Sequence, residues 1–89
     1  MAKVWIPAPM RTLTAGQEHV QATGYTILQI IEHLDKEYPG IKKSLCYEDE
    51  IMPGIAVIVD GEATGMGTLE RVQKDSEVHF LPAIGGGVA

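Results

Sequence analysis

The chain has one cysteine, Cys46, so it cannot close an internal disulfide. Positive charge is also scarce: seven Lys and Arg stand against twelve Asp and Glu, giving a net charge of -5 over 89 residues. The basic residues are scattered, with Lys42-Lys43 the only adjacent pair. A nucleic-acid-binding domain needs a basic face to meet phosphates, so that class is excluded. An acidic domain is suited instead to a basic partner surface. No apolar run approaches the roughly 20 residues of a membrane span, and the N-terminus lacks the basic start and long apolar stretch of a signal peptide. No membrane partner is expected, and with one free thiol the expected location is cytoplasmic.

Catalytic and ligand-binding signatures are missing as well. His19, His33 and His79 show no close metal-ligand spacing, and metal sites are built from close ligand clusters. Glu48-Asp49-Glu50 lacks the glycine-bearing twelve-residue loop of a calcium site. Gly65, Gly67 and Gly85 to Gly87 are not followed by Gly-Lys-Ser/Thr, so they make no phosphate loop. Acidic residues follow Cys46 closely, and negative charge raises a thiol pKa and blunts its reactivity. No catalytic residue, resident metal or bound cofactor is expected.

What is present is a single small domain. Hydrophobic residues make up 45% of the chain, enough for one modest core. Lys3-Val4-Trp5-Ile6 reads as a first strand ended by Pro7 and Pro9, with Val4 and Ile6 on one face and Lys3 and Trp5 on the other. Thr14-Ala15-Gly16-Gln17 reads as a hairpin turn and Glu18 to Ala22 as the returning strand. A helix is predicted over about Thr26 to Glu37, with Thr26 as N-cap and Gln29 completing a capping box. Ile27, Ile31, Leu34 and Tyr38 recur at helical spacing, and Tyr38-Pro39-Gly40 stops the helix. Ile41 to Met52 reads as loop with a short turn or edge strand. Ile55 to Val59 is a β-branched strand, turned at Asp60-Gly61 into a short return strand, Glu62 to Thr64. Glu77 to Leu81 is the last strand. One helix among these strands indicates α+β, with a mixed sheet of four or five strands.

The chain ends in Pro82-Ala83-Ile84-Gly85-Gly86-Gly87-Val88-Ala89. A glycine triplet has no side chains to pack and is expensive to order. The expectation is a compact domain over 1–84 and a thin flexible tail over 85–89, able to thread a narrow channel in another protein.

These segments, in this order, resemble the ubiquitin-like sulfur carriers of the MoaD/ThiS family. Ile6-Pro7, Arg11 to Thr14 and Gly16-Gln17 look like the family's opening, and Gly24-Tyr25-Thr26 and Tyr38-Pro39-Gly40 like its helix boundaries. Val57 to Gly61 looks like its central strand and turn, usually with Asn where this chain has Asp60. Asp75 to Val78 and Leu81 to Ile84 are similar to its last strand and tail. The opening and closing segments are most similar to MoaD-like carriers, including those used for cysteine synthesis.

The resemblance implies a ubiquitin-like β-grasp fold and a protein substrate rather than an enzyme. It implies three kinds of partner: an E1-like adenylating enzyme using ATP and magnesium, a sulfur-accepting synthase and a metal-dependent JAMM-type peptidase. Aligning Pro82-Ala83-Ile84 places Gly87 at the family's terminal glycine. Gly86 and Gly87 would then form the adenylated, sulfur-bearing end, with Pro82 to Gly85 leading it into the partner's site. The Gly87 carbonyl lies in the peptide bond to Val88, so Val88-Ala89 would have to be removed. The alternative reading is a ubiquitin-like modifier joined to lysine through Gly87, or a plain interaction domain. Strand alternation puts Trp5, His79 and Leu81 opposite the core-facing Val4, Val78 and Phe80, as a docking patch, with Ile58 left to either group.

Overall fold

The structure, a computed structural model, describes residues 1–82. Seven strands form: β1 (Ala2–Trp5), β2 (His19–Ala22), β3 (Cys46–Tyr47), β4 (Glu50–Ile51), β5 (Ile55–Val59), β6 (Glu62–Ala63) and β7 (Glu77–Pro82). Two α-helices accompany them, α1 (Ile27–Glu37) and α2 (Ile41–Leu45). Five strands make one mixed sheet in the order β2-β1-β7-β5-β6, with β1 and β7 parallel at its centre and the other pairs antiparallel. This is the expected β-grasp arrangement.

The alternation along each strand decides the two faces. Val4, Val20, Ala22, Val57, Val78 and Phe80 are buried, and α1 lays Ile27, Ile30, Ile31 and Leu34 among them in one core. Those four helix positions recur with the period that puts an apolar stripe on one side. Truncating a fully buried side chain such as Leu34 to Ala removes about 2–5 kcal/mol.

Helix α1 begins as expected at an N-cap: the Gln29 N–H donates to Thr26 Oγ1 at 3.2 Å. The Gln29 side chain reaches one residue further back than a capping box requires, its Oε1 accepting from the Tyr25 N–H at 2.8 Å.

Two stretches differ from the sequence-based expectation. The β1–β2 connection is not a tight hairpin, because Ala8–Thr14 winds as a 3-10 helix after Pro7 before Gly16 turns the chain with φ 84°. Arg11 Nε donates to the Ile6 carbonyl at 3.0 Å and secures this loop. The stretch Ile41 to Met52 is also more ordered than its polar composition suggests. Asp35 Oδ1, from α1, accepts from the Gly40 and Lys42 N–H groups at 3.1 Å each and so caps α2. The β3–β4 hairpin comes next along the chain. Lys42 Nζ bridges Asp49 at 2.8 Å and Glu32 at 3.4 Å, tying both helices to this hairpin. Among the described residues, no helix is long and apolar enough to cross a membrane.

Candidate functional site

The outer sheet face carries a row of side chains that the strand register sets side by side. His19 pairs with Trp5, Trp5 with His79, His79 with Ile58 and Ile58 with Ala63, so the row crosses all five strands. The Trp5 and His79 rings stack at 5.3 Å between centroids with 10° between planes. His19 lies at 4.9 Å from Trp5 on the other side, tilted by 59°. Lys3 Nζ sits 4.8 Å from the centroid of the Trp5 ring, a cation–π contact. The half-buried Trp5 is thus held by its neighbours, and its enclosed Nε1–H has no acceptor among the described residues. Glu77 Oε1 stands 3.9 Å from His79 Nε2.

Leu81 continues this face, cross-strand from Ala56, and is 50% exposed. It joins Ile58, Asp60, Glu77 and His79 around a shallow depression of about 550 Å³. Trp5 and His79, two of the expected docking residues, are therefore in direct contact, and Leu81 lies on the same face. Ile58, undecided from sequence, belongs to this face. His19 and Lys3 are additional members. Their signal was available in the alternation of β2 and β1: with Val20 and Val4 inward, His19 and Lys3 must point outward.

Beyond Leu81 only Pro82 is described. Pro82 ends β7, paired with Ile55, and β7 is a central strand of the sheet. Ala83, Ile84, Gly85, Gly86, Gly87 and Val88, the remaining expected tail and processing residues, lie outside the described residues. Leu81 therefore immediately precedes Pro82, the first residue of the segment that the resemblance leads into a partner's site.

Elsewhere the chemistry is sparse. Cys46 is buried, and burial pushes its thiol pKa up. Asp49 and Glu32 add to that direction while Lys42 opposes it. Such a thiol is a poor nucleophile at neutral pH. Among the described residues, no group of three or more His, Cys, Asp or Glu is placed to hold a metal ion.

A mixed five-stranded sheet grasping one main helix, with its last strand running into a Gly-Gly tail, defines the ubiquitin-like β-grasp class. Within that class the chain belongs to the ThiS family, whose family model matches residues 4–87. The sulfur carrier protein CysO of Mycobacterium tuberculosis (strain ATCC 25618 / H37Rv) is 32% identical over 91 aligned residues, covering 94% of this chain and 96% of the relative. The Amycolatopsis orientalis BexX/CysO complex contains a chain that superposes with a TM-score of 0.88 at 33% identity, over 94% of this chain and 97% of that one. Small archaeal modifier protein 1 from Methanosarcina acetivorans shares the fold, with a TM-score of 0.79 at 20% identity over 97% and 95% of the two chains.

Proposed function

We propose that this chain is a sulfur carrier protein, a substrate for partner enzymes rather than a catalyst, and that Gly87 carries the sulfur once Val88-Ala89 has been removed. The observation that carries the reading is the family match, which runs through the whole domain and stops at Gly87. The CysO relative, a sulfur carrier by name and similar over 94% of this chain, supports it.

The chemistry starts from what a carboxylate lacks. It is a poor acyl electrophile because its leaving group would be oxide. In the proposed sequence, a Gly87 carboxylate oxygen attacks the α-phosphorus of ATP within an E1-like partner, and pyrophosphate leaves with its magnesium. A sulfide-level donor then attacks the acyl carbon and AMP departs, leaving a thiocarboxylate. Its soft sulfur is delivered to a sulfur-accepting synthase, where docking of the folded domain replaces random encounter. Glycine at 86 and 87 leaves no Cβ to clash in a narrow channel. The outer face of Trp5, His79 and Leu81 is the docking surface in this scheme, and the neighbour solved as a BexX/CysO complex supports partner binding by a domain of this shape. A JAMM-type peptidase is the class of enzyme suited to removing Val88-Ala89.

The test is intact mass after incubation with the adenylating enzyme, ATP, magnesium and sulfide. A chain ending at Gly87 is expected to exchange oxygen for sulfur. The chain ending at Ala89 is expected to stay unchanged until the peptidase is supplied, because its free carboxylate stands two residues too far along. Equal sulfur gain at Ala89 overturns the processing step. Branched lysine conjugates in the native host, with no thiocarboxylate, replace the carrier by a protein modifier.

A further inference from the structure

A second surface shares no residue with the aromatic row. Leu28 of α1, the β3–β4 hairpin and the segment from Gly65 to Leu69 enclose a groove of about 500 Å³. Leu28, Ile51, Met66 and Leu69 supply its apolar lining, and Glu48 and Glu50 stand on its rim. Met66 is 59% exposed and Leu69 67%, although both are large apolar side chains. The groove is built rather than incidental: the buried Thr68 hydroxyl donates to the Asp49 carbonyl at 2.9 Å, joining the hairpin to the opposite wall. Lys42 of α2, the cation that pairs with this hairpin, is already committed to Asp49 and Glu32. Glu48 and Glu50 form no ion pair among the described residues, within a chain of net charge -5.

We propose that this groove receives a basic segment of a partner protein. The segment sets apolar side chains against Leu28, Ile51, Met66 and Leu69 while its Lys or Arg residues meet Glu48 and Glu50. A groove with apolar side chains inside and one sign of charge on its rim selects an amphipathic segment of the opposite sign. A second copy of this chain is a poor occupant, because both surfaces carry the same excess of negative charge. An anionic lipid surface is repelled for the same reason. The proposal does not depend on sulfur transfer, since binding is read without ATP or any partner enzyme.

The experiment titrates the isotopically labelled chain with a synthetic helical peptide of Leu and Lys, and with its counterpart carrying Glu at every Lys. Amide shifts in the two-dimensional spectrum report the location. Saturable shifts at Leu28, Glu48 to Ile51 and Met66 to Leu69 are expected with the Lys peptide alone, weakening as salt rises. Joint replacement Glu48→Gln and Glu50→Gln is expected to weaken binding about fivefold, and Met66→Asp about tenfold or more. Both sets sit at exposed positions, and the dispersion of the free spectrum verifies the fold. Shifts confined to the Trp5–Leu81 face, absence of saturation, equal response to the Glu peptide, or indifference to both variants overturns the proposal. So do groove shifts that appear on concentrating the chain alone, which make a second copy the occupant.

Discussion

Asp60 links parts of the chain that lie far apart in sequence. Its Oδ2 accepts from the Ser76 hydroxyl at 2.7 Å, and its Oδ1 accepts from the Glu77 N–H at 2.9 Å, fastening the end of β5 to the start of β7. It also occupies a left-handed position, φ 51°, followed by Gly61 at 85°, as a two-residue hairpin demands. The Glu77 N–H, and then the Ser76 hydroxyl, hold its carboxyl pKa below the ordinary value. A depressed pKa means the folded state favours the ionised form. The contribution is therefore full above the unfolded pKa and is lost as pH falls through the folded one. Unfolding titrations from neutrality down to about pH 2 are expected to show stability falling more steeply below about pH 4 for the natural chain than for Asp60→Asn, which cannot titrate. Parallel curves would show that these hydrogen bonds do not favour the carboxylate.

At the scale of elements, the entry to α1 is held from two sides. Ile27 N–H donates to the Glu70 carbonyl at 3.0 Å and Val72 N–H to the Tyr25 carbonyl at 2.9 Å, so the late connection clamps the helix start. A Cβ on Gly24 would stand 2.9 Å from both Gln29 Cβ and the Ile30 backbone nitrogen. Because backbone cannot step aside as a side-chain tip can, Gly24→Ala is expected to destabilise by about 1–3 kcal/mol in denaturant unfolding. Gly65→Ala is the control, since a Cβ there meets nothing within 4 Å. The helix, its N-cap and the β5 and β7 strands were legible because each is written in local pattern: a 3.6-residue stripe, a Thr before it, a β-branched run and an Asp-Gly turn. Helix α2 was not, because its cap is Asp35, a residue of another element. The 3-10 winding of Ala8–Thr14 was hidden for a similar reason: Pro7 and Pro9 signal where the strand stops but not how the chain winds beyond it. The outer face was partly legible, since alternation assigns Trp5, His79 and Leu81 to one side. Alternation also sends His19 outward, but the cross-strand register is what sets His19 beside Trp5 and Ile58 beside His79 in one row.

For the whole molecule, the proposed function divides labour between body and tail, and the division has kinetic consequences. In that proposal the folded domain supplies binding through the outer sheet face, where Leu81 is half exposed on the face that carries the stacked Trp5 and His79. Gly87, once exposed as the terminus, would supply only the reacting carboxylate. An interaction made equally before and during the reaction changes KM and leaves kcat alone, whereas one needed only at the reacting centre changes kcat. Leu81→Glu places a charge where the proposal sets an apolar contact, while the core-facing Val78 and Phe80 keep their packing. With the chain ending at Gly87, this variant is expected to raise KM for adenylation about tenfold or more, at nearly constant kcat. A chain ending at Gly86 is expected to do the reverse. It keeps the docking face and competes for the enzyme with an inhibition constant near the natural KM, yet its carboxylate stops one residue short and turnover is lost. Steady-state adenylation and a competition titration measure the two effects separately. If Leu81→Glu lowers kcat instead, the sheet face positions the tail for chemistry as well as binding the partner. If the Gly86-terminated chain fails to compete, the tail supplies binding as well as the reacting group. Either result would end the division of roles proposed for this fold.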